Sequence, residues 1–203
     1  MVADRPVPGE PRRKFRGIVG VMTRLATLAV AFVLSLPAAA ADDSDIAVKV
    51  RKEGDTIHVA VDCPVKARPA IAWEVMTDYD NMAKFISNLT ESSVRMHMGN
   101  RMQVSQKGKA SRGPLSISFE NMREIELVPK SEIRSRLIAG DTMPAAFVTR
   151  IEERDGMTHV MHTGTYTPSM WVPPGIGPSL IESETRKQYA EIRTEILRRA
   201  QSR

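Results

Sequence analysis

The sequence predicts an α+β fold in which a curved antiparallel sheet wraps around one long C-terminal helix, with two short helices after the first strands. Three observations carry this. Segments alternating with period two follow one another from Ser93 to Tyr166, a separate alternating pair precedes them, and the chain finishes on a single amphipathic stretch, Ser179 to Arg199. A sheet and helix arranged in this way leave a hollow between them, and such hollows usually hold apolar ligands.

The N-terminal segment is of a different kind. Leu25 to Leu36 is apolar apart from Thr27 and Ser35, runs into Pro37 and the small residues Ala38 to Ala41, and is followed by acidic Asp42 and Asp43. This is the layout of a signal peptide cleaved after Ala40 or Ala41, too short to span a bilayer. Residues 1–41 therefore read as a targeting segment and residues 42–203 as one ligand-binding domain. Arg24 interrupts the apolar run that begins at Gly17, which leaves two versions of the signal. Either translation starts at Met22 and Met22-Thr23-Arg24 is the positive start, or Arg12-Arg13-Lys14-Phe15 is a twin-arginine signal. Both imply a periplasmic or secreted protein.

Removing residues 1–41 leaves 23 basic and 22 acidic residues, a net charge of +1. The basic character of the full chain thus belongs to the targeting segment, and composition gives no case for nucleic-acid binding. A single cysteine, Cys63, excludes an internal disulfide and reads as a small buried hydrophobe before Pro64.

Along the domain, Ile46 to Lys52 and Thr56 to Val61 alternate around Glu53-Gly54-Asp55 and form a hairpin. Pro69 suits the first turn of a helix running to Met76, with Ile71, Val75 and either Trp73 or Met76 on one face. Asp78 to Asn81 breaks it and opens a second short helix reaching Phe85. Val94, Met96 and Met98 then share a strand face, and a three-residue loop Gly99-Asn100-Arg101 would keep Met102 and Val104 on the same side. Strands follow at Leu115 to Leu127, Ser131 to Ala139, Pro144 to Glu153 and Thr158 to Tyr166. Pro168 to Pro178 is dense in Pro and Gly, carries Met170, Trp171, Val172 and Ile176, and is placed to lid the hollow. In the last helix Ser179 and Glu182 form a capping box, and Ile181, Thr185, Gln188 or Tyr189, Ile192 and Ile196 make the inward stripe. Arg193, Arg198 and Arg199 read as a solvated, dipole-complementing terminus, with transient contact to an anionic membrane surface as the alternative.

Within this order, Trp73-Glu74-Val75-Met76-Thr77-Asp78-Tyr79-Asp80 and Phe85-Ile86-Ser87-Asn88-Leu89 resemble the START-like (SRPBCC) superfamily, in particular its polyketide cyclase/dehydrase and coenzyme Q-binding family. The similarity continues through Val104 to Gly108, Ile138 to Asp141, Gly164-Thr165-Tyr166 and Trp171 to Pro174, and spans roughly Thr56 to Arg199. The resemblance implies a helix-grip fold with an internal pocket for a small hydrophobic molecule: a lipid, an isoprenoid quinone or an aromatic compound. The secretion signal departs from the intracellular quinone-binding members, and the polar residues used by the cyclases have no match here.

Chemistry-bearing residues are sparse. Ten of twelve methionines lie in the domain against three phenylalanines (Phe85, Phe119, Phe147), which suits an adaptable apolar pocket. The candidate lining is Phe85, Met98, Met102, Phe147, Met161, Tyr189 and Ile192, with Trp171 as the lid. Met157, His159 and Met161 share a strand face as a soft donor set, but no second cluster is fixed beside them. The four histidines lack zinc spacing, and neither a Gly-x-Ser-x-Gly turn nor a glycine-rich phosphate loop occurs, so no metal, cofactor or catalytic residue is assigned. An acid/base site drawn from Asp78, Glu120, Arg136, His162 and Tyr166 is the enzymatic alternative, of aromatase/cyclase type. No protein partner is identifiable.

Overall fold

The computed structural model describes residues 43–112, 115–140, 145–168 and 177–202. The targeting segment and the greater part of the Pro/Gly-rich loop, Trp171 included, lie outside the described residues. Eight strands, β1 (Ala47–Glu53), β2 (Thr56–Val65), β3 (Leu89–Met98), β4 (Arg101–Arg112), β5 (Leu115–Val128), β6 (Glu132–Gly140), β7 (Ala145–Arg154) and β8 (Met157–Tyr166), form one curved sheet. Every pairing is antiparallel and the order is β1-β2-β8-β7-β6-β5-β4-β3. Helix α1 (Pro69–Thr77) and a 3₁₀ turn (Tyr79–Lys84) follow β2, and helix α2 (Gly177–Gln201) closes the chain.

Local chemistry explains these elements. In β2 every second residue, Ile57, Val59, Val61, Cys63 and Val65, is buried, which fixes its register because a one-residue slip would turn all five to the other face. Pro69 opens α1; Ile71, Ala72, Val75 and Met76 are buried, so Met76 rather than Trp73 completes the apolar face. Two glycines permit close packing: a Cβ on Gly108 would collide with the Asn88 carbonyl and the Phe119 ring, and one on Gly164 with the Ala146 carbonyl and Phe147. In both cases an inward phenylalanine lies over the bare backbone of the neighbouring strand.

Two expectations need correction. The β3–β4 loop has two residues, Gly99 and Asn100, since Met98 pairs Arg101 and Met96 pairs Gln103. Gly99, at φ 61, supplies the left-handed residue of this turn. A bulge between Val94 and Met96 then brings Val94 opposite Val104, so Val94 packs against the core while Met96 and Met98 are 46% and 61% exposed. The second correction concerns α2, which starts at Gly177, so Ser179 stands inside the first turn rather than before it. The inward stripe is as expected, with Tyr189, Ile192 and Ile196 buried, but the basic end is not simply solvated.

Arg193 is 4% exposed and donates to Asp43 and Asp45, each at 2.5 Å, tying the start of the domain to the helix. Arg186 reaches the Ile46 carbonyl nearby. Arg199 donates to Glu195 and to Asp78, both at 2.7 Å, and its guanidinium lies 5.8 Å from the Phe85 ring centre. Of the three arginines only Arg198 is largely exposed, and it too pairs with Glu195.

Candidate functional site

Between the inner face of the sheet and α2 is a cavity of about 210 Å³. Strand alternation decides what reaches it. The inner series on β5 includes Arg123 and Ile125; across the ladder lie Ser135 on β6, Phe147 and Thr149 on β7, His162 and Tyr166 on β8 and Val59 on β2. Helix α2 adds Ile181, Thr185, Gln188, Tyr189 and Ile192, and the α1 region adds Met76, Tyr79, Met82 and Ile86.

The walls have two characters. Ile86, Ile125, Ile133, Ile181 and Ile192 make an aliphatic lining, while the rings of Tyr79, Phe147, His162, Tyr166 and Tyr189 make an aromatic one. Phe147 and His162 stack at 5.0 Å with 12° between their planes, Tyr166 tilts against Phe147 at 6.2 Å, and Tyr189 against His162 at 5.8 Å. Polar groups converge on the same space. The Thr149 hydroxyl lies 2.8 Å from His162 Nδ1, and the Tyr189 ring tilts against His162, so the three side chains adjoin on the wall. Gln106 donates to Met82 Sδ at 3.6 Å and to Ser92 at 3.2 Å.

Arg123 is the single charged residue of this lining among the described residues. Its Nε donates to Asn121 Oδ1 at 3.2 Å and its guanidinium carbon lies 5.8 Å from the Phe147 ring centre. Burial pushes the His162 imidazole down to about 4, assisted by the Arg123 cation, so the ring is neutral at physiological pH. Burial raises the phenols of Tyr79 and Tyr189 well above their ordinary value and that of Tyr166 to about 12, which keeps all three protonated. The same cause, burial, pushes the Cys63 thiol up to about 12.

The residues singled out from the sequence separate accordingly. Phe147, Tyr189 and Ile192 stand on the cavity wall. Met102 is buried in the core but is not on that wall: it lies beside Ile125 on the same face of the sheet, one strand farther towards the β3 edge. Met98 projects to solvent, Met161 takes the opposite face of β8 from His162 beside Asp62 and Arg150, and Phe85 packs under Arg199 on a groove outside α2. Trp171 lies outside the described residues. Of the acid/base set, His162 and Tyr166 meet in the cavity, whereas Asp78 pairs with Arg199, Glu120 with Lys107 and Arg136 with Glu124. His159, on the face of Met161, is held by Asp62 at 2.7 Å and Arg154 at 2.9 Å. Arg123, Thr149, Ser135 and Tyr79 join the site without being singled out by the sequence; the signal for the first is an arginine, beside Asn121, in the inward register of β5 between Phe119 and Ile125.

Sheet, short helices and gripping terminal helix define a START-like, helix-grip fold. No protein-family model matches the chain, and no curated protein matches it in sequence. Solved structures do match in fold. A Thermus thermophilus protein aligns at TM-score 0.62 with 14% identity, over 70% of this chain and 99% of its own. A STAR-related lipid transfer protein from Xanthomonas axonopodis aligns at 0.60 with 10% identity, over 77% and 96%. The Zhui aromatase/cyclase from a Streptomyces species aligns at 0.58 with 14% identity, over 73% and 95%.

Proposed function

We propose that this chain is an exported START-like protein that binds one small, ring-bearing, largely apolar molecule between sheet and terminal helix, as a carrier or sequestering protein. The cavity carries this reading. A void of about 150 Å³ suffices for benzene, so 210 Å³ accommodates one substituted ring. It is below the range of about 300–1,000 Å³ usual for drug-sized ligands, which favours an aromatic compound over a diacyl lipid or a polyprenyl chain. Export rests on the apolar segment Leu25–Leu36 and the alanines that follow it. Lipid transfer and aromatase/cyclase activities, named for two fold neighbours, bracket the options.

A second reading has its own observation. The hydrogen-bonded pair His162–Thr149, with the Tyr189 phenol and Arg123 on the same wall, could move a proton to or from a bound ring compound, as an aromatase/cyclase-like enzyme requires. Native mass spectrometry of protein recovered from the cell envelope tests the first reading: a retained small aromatic is the expected result. A consistently empty protein that takes up nothing from an envelope extract contradicts it, and conversion of the retained compound on standing favours the enzyme.

A further inference from the structure

The unusual component of the cavity is its charge. Arg123 is half-buried, and a guanidinium withdrawn in part from water is costly unless an anion or several acceptors compensate it. Arg123 has one amide acceptor, Asn121, and the face of Phe147; none of the described residues accepts from its two terminal nitrogens. No carboxylate is found among the described residues of the lining, because Glu124 on the same strand points to the opposite face and pairs with Arg136. The phenols of Tyr79 and Tyr189 and the neutral His162 bring no negative charge. One strand over, on the same inner face, the Ser135 hydroxyl is fully buried with no hydrogen-bond partner. Arg123 and Ser135, on adjacent strands, therefore border a space whose other walls mix rings and isoleucines with Gln106, Thr149, Thr185 and Gln188.

Resting on the reading of the cavity as a ligand site, we propose that its occupant is a small aromatic acid whose carboxylate sits on Arg123 and Ser135 while its ring lies against Phe147 and His162. The guanidinium presents a planar pair of donors that matches a carboxylate. The rings and isoleucines beside Arg123 lower the local polarity and so strengthen that pairing. The same cation rejects amines, and the volume rejects acids with long chains.

Isothermal titration of the protein with benzoate, benzamide and benzylammonium tests this. Benzoate is expected to bind one to one and about thirtyfold or more tighter than benzamide, the minimum effect of removing one partner of a buried charge pair. Benzylammonium is expected not to bind. In Arg123→Gln the two neutral-pH affinities converge to within about threefold, and in Ser135→Ala benzoate alone weakens. Benzamide binding as well as benzoate to the wild-type protein overturns the acid while leaving the cavity as a ligand site, and this comparison stands even if the Arg123 variant does not fold. Failure of all three probes to bind or to move the His162 ring resonances overturns the ligand site itself.

Discussion

Thr185→Leu reads out the empty space directly. Thr185 lies on the inner face of α2 at the cavity wall, and its hydroxyl makes no hydrogen bond to a described residue. Leucine would extend apolar atoms into unfilled volume. Burying the equivalent of two methylenes contributes about 1.6 kcal/mol, and loss of leucine rotamer freedom removes about 0.5–1 kcal/mol of it. The 210 Å³ void, at about 24 cal/mol per Å³, sets a ceiling near 5 kcal/mol on what filling could recover. Better helix propensity adds about 0.4 kcal/mol, which Thr194→Leu on the exposed face of the same helix measures separately. After that correction, urea unfolding should show a gain of about 0.5–1 kcal/mol, and affinity for a small aromatic should fall about tenfold or more. A loss of about 1–3 kcal/mol, as for an overfilled core, would refute the reasoning.

Three other perturbations follow from the same geometry. Arg198 and Arg199 hold Glu195 down at about 2 against an ordinary 4.5, so its contribution is complete above pH 4.5 and lost as pH falls towards 2. Glu195→Gln should remove that part of the acid limb, on the order of 3 kcal/mol, in pH-dependent denaturation. His162 has the same sign in a higher window: its ring, near 4 in the fold against an ordinary 6.5, should stay neutral at pH 5.5 by NMR, and stability should decline between 6.5 and 4 in the wild type but not in His162→Gln. Gly108→Ala should cost about 2–4 kcal/mol by thermal unfolding, because the added methyl displaces both the Phe119 ring and the Asn88 carbonyl that accepts the Lys109 N–H.

The fold was readable because its signals are local. Alternation in β2 and β5–β8, Pro69 at the start of α1 and the stripe Ile181 to Ile196 each depend on neighbours within one element. Long-range facts were not readable in this way. The bulge at Arg95 is set by pairing with β4, and it reverses the facing of Met96 and Met98. Arg193 resembles a terminal arginine until Asp43 and Asp45, some 150 residues earlier, arrive beside it. The cavity was foreseen, but not its chemistry: methionine abundance pointed to a thioether lining, and of the described methionines only Met76 and Met82 stand on the wall. Polar inward residues on separate strands, Arg123, Ser135, Thr149 and His162, become one site only once the sheet order is known.

A crystal of the protein soaked with bromobenzene, read by bromine anomalous scattering, tests the space between sheet and α2 most directly, since a neutral probe reports room rather than charge. The account expects one strong peak bounded by Phe147, His162, Tyr189 and Ile192. Side chains meeting across that volume, with bromine only on the surface or nowhere, would contradict it.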